Sequence, residues 1–332
     1  MGLHMEFDFH LPVVLVALIF EAAFGYPGWI YRRLGHPVTW VGYLIELLDK
    51  TGNMASMPES RRRLNGVLAA IAIVMITAAT VAVLQRLILD GLEVVTAILV
   101  TGLIAGSLLS QRSLFAHVRA VADGLDQGLP EARSAVSEIA GRDTNTLDEA
   151  GCARAAVESL AENFSDGIVA PVFWGALFGL PGMAIYKAIN TADSMIGHQN
   201  ERYKSFGWAT AKLDDLVNFP GARLAAFWIV IAAYLSPSAN GQAAWTTAFR
   251  DAGEHRSPNA GWPEAAMAGA LGLQLAGPRT YDGETVDDAW MGSGDPSLGA
   301  DEIRRALRLY QNACTLQVVA IAGLAVLILL NA

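Results

Sequence analysis

Charge is scarce in this chain. Of its 332 residues, Asp, Glu, Lys and Arg make up 17% and hydrophobic types 53%, whereas a soluble domain carries about a quarter charged residues. The deficit excludes an ordinary water-soluble domain and points to an integral membrane protein. A basic excess is missing too: 23 Lys and Arg stand against 32 Asp and Glu, a formal net charge of −9. No field exists to gather nucleic-acid phosphates. Two cysteines, Cys152 and Cys314, are too few for a disulfide framework and stand at no zinc-ligand spacing. No GxxxxGKS/T loop occurs, and no GxGxxG follows a strand, so any nucleotide sits on another kind of scaffold. Ser165 and Ser194 stand beside acids rather than histidine, which leaves no nucleophile–base pair. Internal repeats, heptads, low-complexity tracts and an evident cleavable signal are absent as well.

What the chain has instead is apolar runs. Residues 64–84 carry no charge and match the roughly 20 residues that cross a bilayer core. Residues 94–109 are rich in small side chains that let helices approach. Further candidates are 219–235, 315–331 and 11–24, the last interrupted by Glu21, which must face protein or water. Residues 168–185 contain Pro171, Pro181 and several glycines, and their pattern fits a span, a re-entrant segment or a broken helix. Residues 265–277 are too short to cross. The 25–63 connection is Arg-rich, whereas 85–93 holds only Arg86. The positive-inside rule therefore puts 25–63, and with it 110–167, in the cytoplasm. Within 25–63 a short amphipathic helix is expected over 36–48 after a Pro start. Soluble helices are expected over 111–163, with Thr144 or Thr146 capping the one that carries Glu158.

The expectation is an all-α polytopic membrane protein with four to six membrane-embedded helical segments and cytoplasmic helical insertions. It is read as one integral-membrane domain over 1–332: N-terminal spans to 110, a soluble helical segment over 111–167, a catalytic core over 168–278, and a C-terminal loop with a last span over 279–332.

Three acid–amide clusters fall within about 60 residues, flanking apolar sequence: Glu158, Glu162, Asn163 and Asp166; Asn190 and Asp193; Asp214, Asp215 and Asn218. Any one pair is ordinarily a helix cap or a solvated face. Three together beside apolar runs are costly unless they bind a cation. Glu158 and Glu162, four apart, share a helical face, with Asp166 just past its helix end. Asn190 and Asp193, and likewise Asp215 and Asn218, are neighbours at three residues, with Asp214 beside the last pair. Mg²⁺ takes one or two carboxylates together with phosphate oxygens, so the clusters point to a magnesium and phosphate site at a membrane edge. Bases accompany them: Lys187 inside AIYKAIN, then Arg202, Lys204, Lys212 and Arg223. Lys187 suits a phosphate; Arg202 and Lys204 fit positive-inside flanking equally well. His255 opens a Ser-Pro-Asn turn that leads into a Gly/Pro-broken, Glu264-led helix, either a structural turn or a built loop. Gly141-Arg142-Asp143 reads as a turn.

The same blocks resemble the adenosylcobinamide-phosphate synthase family of cobalamin biosynthesis, the CbiB/CobD type. They are FGYPGWIYRRLGHPVTWVGYLI at 24–45, GRDTNTL at 141–147 and VESLAENFSDGIVAPVFW at 157–174. GLPGMAIYKAINTADSMIGH at 179–198, FGWATAKLDDLVNFPGAR at 206–223 and HRSPNAGWPEAAMAGALGLQLAGP at 255–278 complete the set. One departure is Tyr26, where the family commonly has Asp between Gly and Pro, which questions a ligand role for that turn.

The resemblance implies a multi-pass cell-membrane enzyme, an acid–amine ligase. It would join adenosylcobyric acid, the corrinoid substrate, to aminopropanol phosphate or a related amino alcohol phosphate, with ATP and Mg²⁺, through an acyl phosphate. On this reading Asp166, Asp193, Asp214 and Asp215 are the metal ligands, with Glu162 a further candidate. Glu162, Asp166, Lys187, Asp193 and His255 form the catalytic set. Glu158, Asn163, Asn190, Ser194, Lys212, Asn218, Arg223, Ser257 and Asn259 bind substrate or nucleotide. Lys187 and Arg223 would hold phosphate, and His255 would contact a phosphate or accept the amine proton. The expected partners are the two substrates and the lipid bilayer, not nucleic acid. Self-association or association with other cobalamin-assembly membrane enzymes would fit such a role. Two alternatives are a Mg-dependent intramembrane prenyltransferase, suggested by the DDLVN run at 214–218, and a non-enzymatic membrane sensor of the same fold.

Overall fold

Proline and glycine divide the apolar chain into helices. A computed structural model describes residues 2–140, 144–281, 284–286 and 288–331; the Gly141-Arg142-Asp143 turn lies outside the described residues. In chain order the helices are α1 (Gly2–Phe24), α2 (Gly28–Leu34), α3 (Pro37–Gly52), α4 (Glu59–Gly91), α5 (Val94–Gly106), α6 (Gln111–Leu125), α7 (Leu129–Ser137) and α8 (Glu149–Phe164). A π-helical turn (Ser165–Val169) joins α8 to α9 (Ala170–Ile196), followed by α10 (Trp208–Tyr234), α11 (Gly241–Asp251), α12 (Gly261–Leu271) and α13 (Ala300–Asn331). Among the described residues strand is confined to four segments of two or three residues: β1 (Leu275–Ala276), β2 (Arg279–Tyr281), β3 (Glu284–Val286) and β4 (Trp290–Met291). They pair antiparallel as β1 with β4 and β2 with β3.

The protein is an all-α, multi-pass membrane protein. Among the described residues five helical runs are long and apolar enough to cross a bilayer: α4, Val94–Leu125, Glu149–Ile196, α10 and α13. The bent pair Phe9–Phe24 and Gly28–Gly52 would make a sixth. The segment 168–185, which the sequence leaves open, is a broken helix. Gly179 sits at φ 63° inside α9, two residues before Pro181. A left-handed φ favours glycine, and a Cβ there would lie 2.7 Å from the His10 ring.

Local start signals behave as the sequence predicts at α3 and differ at α8. His36 accepts the Val38 amide while Thr39 Oγ1 accepts the His36 amide, a capping box ahead of Pro37. At α8 the cap is Asp148, whose Oδ1 accepts from the Gly151 amide at 2.7 Å, and not Thr144 or Thr146. A capping side chain must sit directly before the first helical residue to reach the N2 or N3 amide. Both threonines lie too far upstream.

The chain forms two compact units. One comprises Met1–Ser110, Ala170–Asn218 and Ala320–Ala332; the other comprises Gln111–Val169 and Phe219–Val319. In the first unit, Ile45, Ala69, Ile73, Ala188, Ala192, Ile196 and Phe206 form a buried apolar cluster. Small residues set the spacing there: a Cβ on Gly66 would fall 1.9 Å from the Phe206 carbonyl oxygen, and one on Gly102 2.5 Å from Val16. A polar clasp closes one end. Buried Asp49 accepts from Asn53 Nδ2 at 2.8 Å and from Arg202, Asn53 Nδ2 also donates to the Arg202 carbonyl, and Arg62 donates to Asn53 Oδ1 at 2.7 Å. The clasp pins segments 49–62 and 200–203 together. Arg202 is therefore engaged by Asp49.

In the second unit α11 packs on α12 through Gly269, where a Cβ would meet the Ala243 carbonyl at 2.5 Å. Buried Asp251 accepts the Gly292 amide at 2.8 Å. Tyr310 donates to the Gln111 carbonyl and stands edge-on to Phe164. The segment at 265–277, judged too short to cross, is α12 followed by β1.

Candidate functional site

In the first unit α9 and α10 each present a polar stripe. Lys187, Asn190 and Asp193 follow at three-residue steps on α9, and Asp214 and Asn218 stand four apart on α10, so each set shares a face. The stripes meet. Lys187 Nζ donates to Asn190 Oδ1 at 3.0 Å, Asn190 Nδ2 to Asp214 Oδ1 at 3.4 Å, and Asn218 Nδ2 to Asp214 Oδ2 at 2.8 Å. Asp193 adds a second negative charge that acts on Asp214. Tyr186, buried beside the cluster, donates its OH to Asn218 Oδ1 at 2.6 Å. With that oxygen occupied, the Asn218 amide must turn its NH₂ to the carboxylate.

Other predicted members of this unit turn outward. Asp215 pairs with Lys212 at 2.9 Å; the lysine side chain is 63% exposed, so water screens the pair. Ser194 Oγ returns to the Asn190 carbonyl of its own helix. Among the described residues no three His, Cys, Asp or Glu side chains form a ready metal cage. Mg²⁺ does not require one, because it takes one or two carboxylates and completes its shell with water and phosphate. Each Asp214 oxygen receives one amide N–H, and a carboxylate has about four acceptor positions, so capacity for a cation remains. Asp193 and Asp214 fit that ion.

The second unit gathers another set. Arg223 donates from Nη1 to Asn259 Oδ1 at 2.6 Å, and its guanidinium lies 3.8 Å from the Phe219 ring centre and 4.9 Å from that of Trp262. Two aromatic faces hold the cation flat. Ser257 Oγ accepts the amides of Asn259 and Ala260, a side-chain turn that shapes the loop. His255 Nδ1 accepts the Ser257 amide at 3.0 Å, and Nε2 faces Glu264 at 3.6 Å. That pattern places the ring proton on Nε2. His255 and Ser257 thus build the loop that presents Asn259 and Arg223.

Of the first acid cluster, buried Glu158 accepts the Ala276 amide at 2.7 Å, where Ala276 holds a left-handed φ of 58°. Glu162 is exposed, Asn163 donates to the Ser159 carbonyl of its own helix, and Asp166 lies half-buried in the π turn. The residues that sequence patterning misses are Tyr186 and Trp262, and it reads Glu264 only as a helix start. Each reads as ordinary core or helix-start chemistry until its partner is known.

Fold and site together define a multi-pass helical membrane protein carrying a lysine–amide–carboxylate cluster on two of its helices. The family described as CobD/Cbib protein matches residues 14–310. Over 316 residues the chain is 47% identical to a cobalamin biosynthesis protein CobD of Rhodobacter capsulatus, covering 95% of this chain and 97% of that one. It is 46% identical over 323 residues to the protein of that name from Rhizobium meliloti, covering 96% and 98%. The Brucella suis protein of that name is 45% identical over 312 residues, covering 93% and 95%. No solved structure matches it. The chain belongs to the CobD/CbiB family of cobalamin biosynthesis.

Proposed function

We propose that the protein is an ATP-dependent amide ligase that joins adenosylcobyric acid to aminopropanol phosphate, or a related amino alcohol phosphate, giving adenosylcobinamide phosphate. The observation that carries this reading is the Lys187–Asn190–Asp214–Asn218 chain with Asp193 beside it, set in helices that otherwise cross the membrane. Family membership and the resemblance of the motif blocks supply the substrates.

A carboxylate does not react with an amine directly, because its oxygen is a poor leaving group. In the proposed sequence a corrinoid carboxylate oxygen attacks the γ-phosphorus and ADP departs. The amine then attacks the acyl carbon, and phosphate leaves carrying that oxygen while the amine gives up a proton. Mg²⁺, when bound, would supply charge that neutralises the phosphates. Asp193 and Asp214 would hold the ion, Asn190 and Asn218 fix the Asp214 carboxylate, and Lys187 offers a cation to a phosphate oxygen. The apolar faces of α9 and α10 keep water from the acyl phosphate. Arg223, held flat in the second unit, suits a phosphate as a fork.

The clasp brings the base-bearing 49–62 and 200–203 segments to one end of the first unit. By the positive-inside rule that end is cytoplasmic, where ATP is available.

The test is amide formation by the full chain in nanodiscs, with ATP and Mg²⁺ omitted in turn and with the corrinoid carboxylate labelled with ¹⁸O. The expected result is product only with both present, and one ¹⁸O in the released phosphate. Label in AMP would overturn the acyl phosphate. Product without ATP, turnover of an isoprenyl diphosphate instead, or no nucleotide binding would overturn the ligase.

A further inference from the structure

Apart from the polar stripes, the first unit contains a cavity of about 870 Å³, within the roughly 300–1,000 Å³ of small-molecule sites. We propose that it holds one phospholipid of the bilayer, its hydrocarbon chain inside and a hydrogen-bond-donating headgroup at Gln85. This goes beyond the ligase reading and does not depend on it.

The helices give the cavity a direction. α4 begins beside the clasp and ends at Gly91, while α9 ends beside the clasp. Gln85 and Leu89 on α4 and Val94 on α5 therefore mark the end remote from the clasp, and Ile185 and Ile189 on α9 lie nearer to it. At the mouth Leu89 is 42% exposed, Val94 64% and Phe178 57%. On membrane-spanning helices such faces meet lipid, so the opening continues the lipid-facing surface. The interior is mainly apolar, with His10, Gln85, Trp174 and Tyr186 as the polar side chains of its wall. An occupant lying along the helices, with its polar end at their termini and its chain pointing inward, has the orientation of a leaflet lipid.

The polar atoms of the wall select the headgroup. Tyr186 OH is committed to Asn218, and Trp174 Nε1 donates to the Val217 carbonyl at 2.9 Å. Gln85 Oε1 is buried without a hydrogen-bond partner among the described residues. An orphaned buried acceptor is costly, and the ammonium of an ethanolamine headgroup satisfies it where a choline headgroup has no N–H to offer. The same chain would pack on Trp174 and Tyr186, both tied to α10 next to Asp214.

The experiment reconstitutes the full chain in nanodiscs with phospholipids bearing a photoreactive diazirine in the acyl chain, in ethanolamine and choline forms, and maps cross-links by mass spectrometry. Expected are cross-links at Ile185 and Ile189, favouring ethanolamine by about tenfold, the equivalent of one hydrogen bond. Leu177→Trp, which narrows the mouth, should suppress them while labelling at lipid-facing Met75 is unchanged, and Gln85→Leu should erase the headgroup preference. Absence of interior cross-links in the unaltered protein overturns the proposal, whatever the variants do. Equal labelling by the choline lipid overturns it as well.

Discussion

Asp214 draws several interactions together: two amide donors, a neighbouring like charge, and Tyr186 acting through Asn218. If it holds the cation with Asp193, Asp214→Asn and Asp193→Ala should each abolish amide formation while the protein still elutes as a folded species in detergent. Near-normal turnover in both would remove the metal assignment. Tyr186→Phe is subtler. It strands the buried Asn218 oxygen at about 1–3 kcal/mol and frees the amide to flip, so half-maximal activity should require more Mg²⁺. An unchanged Mg²⁺ dependence would leave Tyr186 a packing residue. Sequence spacing reveals the stripe at 187, 190 and 193, but it pairs Asn218 with Asp215 at three residues, whereas the structure pairs Asn218 with Asp214. Spacing does not reveal which of Asp214 and Asp215 faces inward. Neighbours on a helix point about 100° apart, and only the tertiary partner decides. Tyr186 escapes notice for a similar reason, since its partner is 32 residues away.

At the scale of the element, glycine decides which helices touch. Gly66→Ala would push a methyl into the Phe206 carbonyl and should cost about 1–3 kcal/mol as overpacking. Gly323→Ala, on the open face of α13, should stay within about 0.5 kcal/mol. Thermal unfolding in detergent separates the two, and equal shifts would mean that the α4 contact is looser than drawn. The broken helix at 168–185 shows where sequence is silent. Pro181 and the glycines announce an interruption, yet a span, a re-entrant loop and a kinked helix share that composition. The left-handed Gly179 against His10 selects the kinked helix, and His10 lies far upstream in the chain.

For the whole molecule, the spans follow directly from apolar length, and the family from long motif blocks. Orientation rests on charge, and it can be measured. Cys152 and Cys314 are buried, so an introduced thiol should report alone. A cysteine replacing exposed Lys204 should react with an impermeant maleimide only in inside-out vesicles, and one replacing Leu92, in the α4–α5 link, only in spheroplasts. The opposite pattern would put the clasp end outside and remove the cytoplasmic ATP supply.

The clasp also imposes an order in time. Asp49 and Arg202 are 153 residues apart, and synthesis proceeds at about 5–20 residues per second, so roughly 8–30 s pass before the carboxylate meets its guanidinium. During that interval the first membrane helices leave the ribosome with the Asp49 carboxylate not yet matched by Arg202 at the clasp end. The N-terminal third of the protein must wait beside the insertion machinery, hydrated or chaperoned, until α9 and the loop after it have been made.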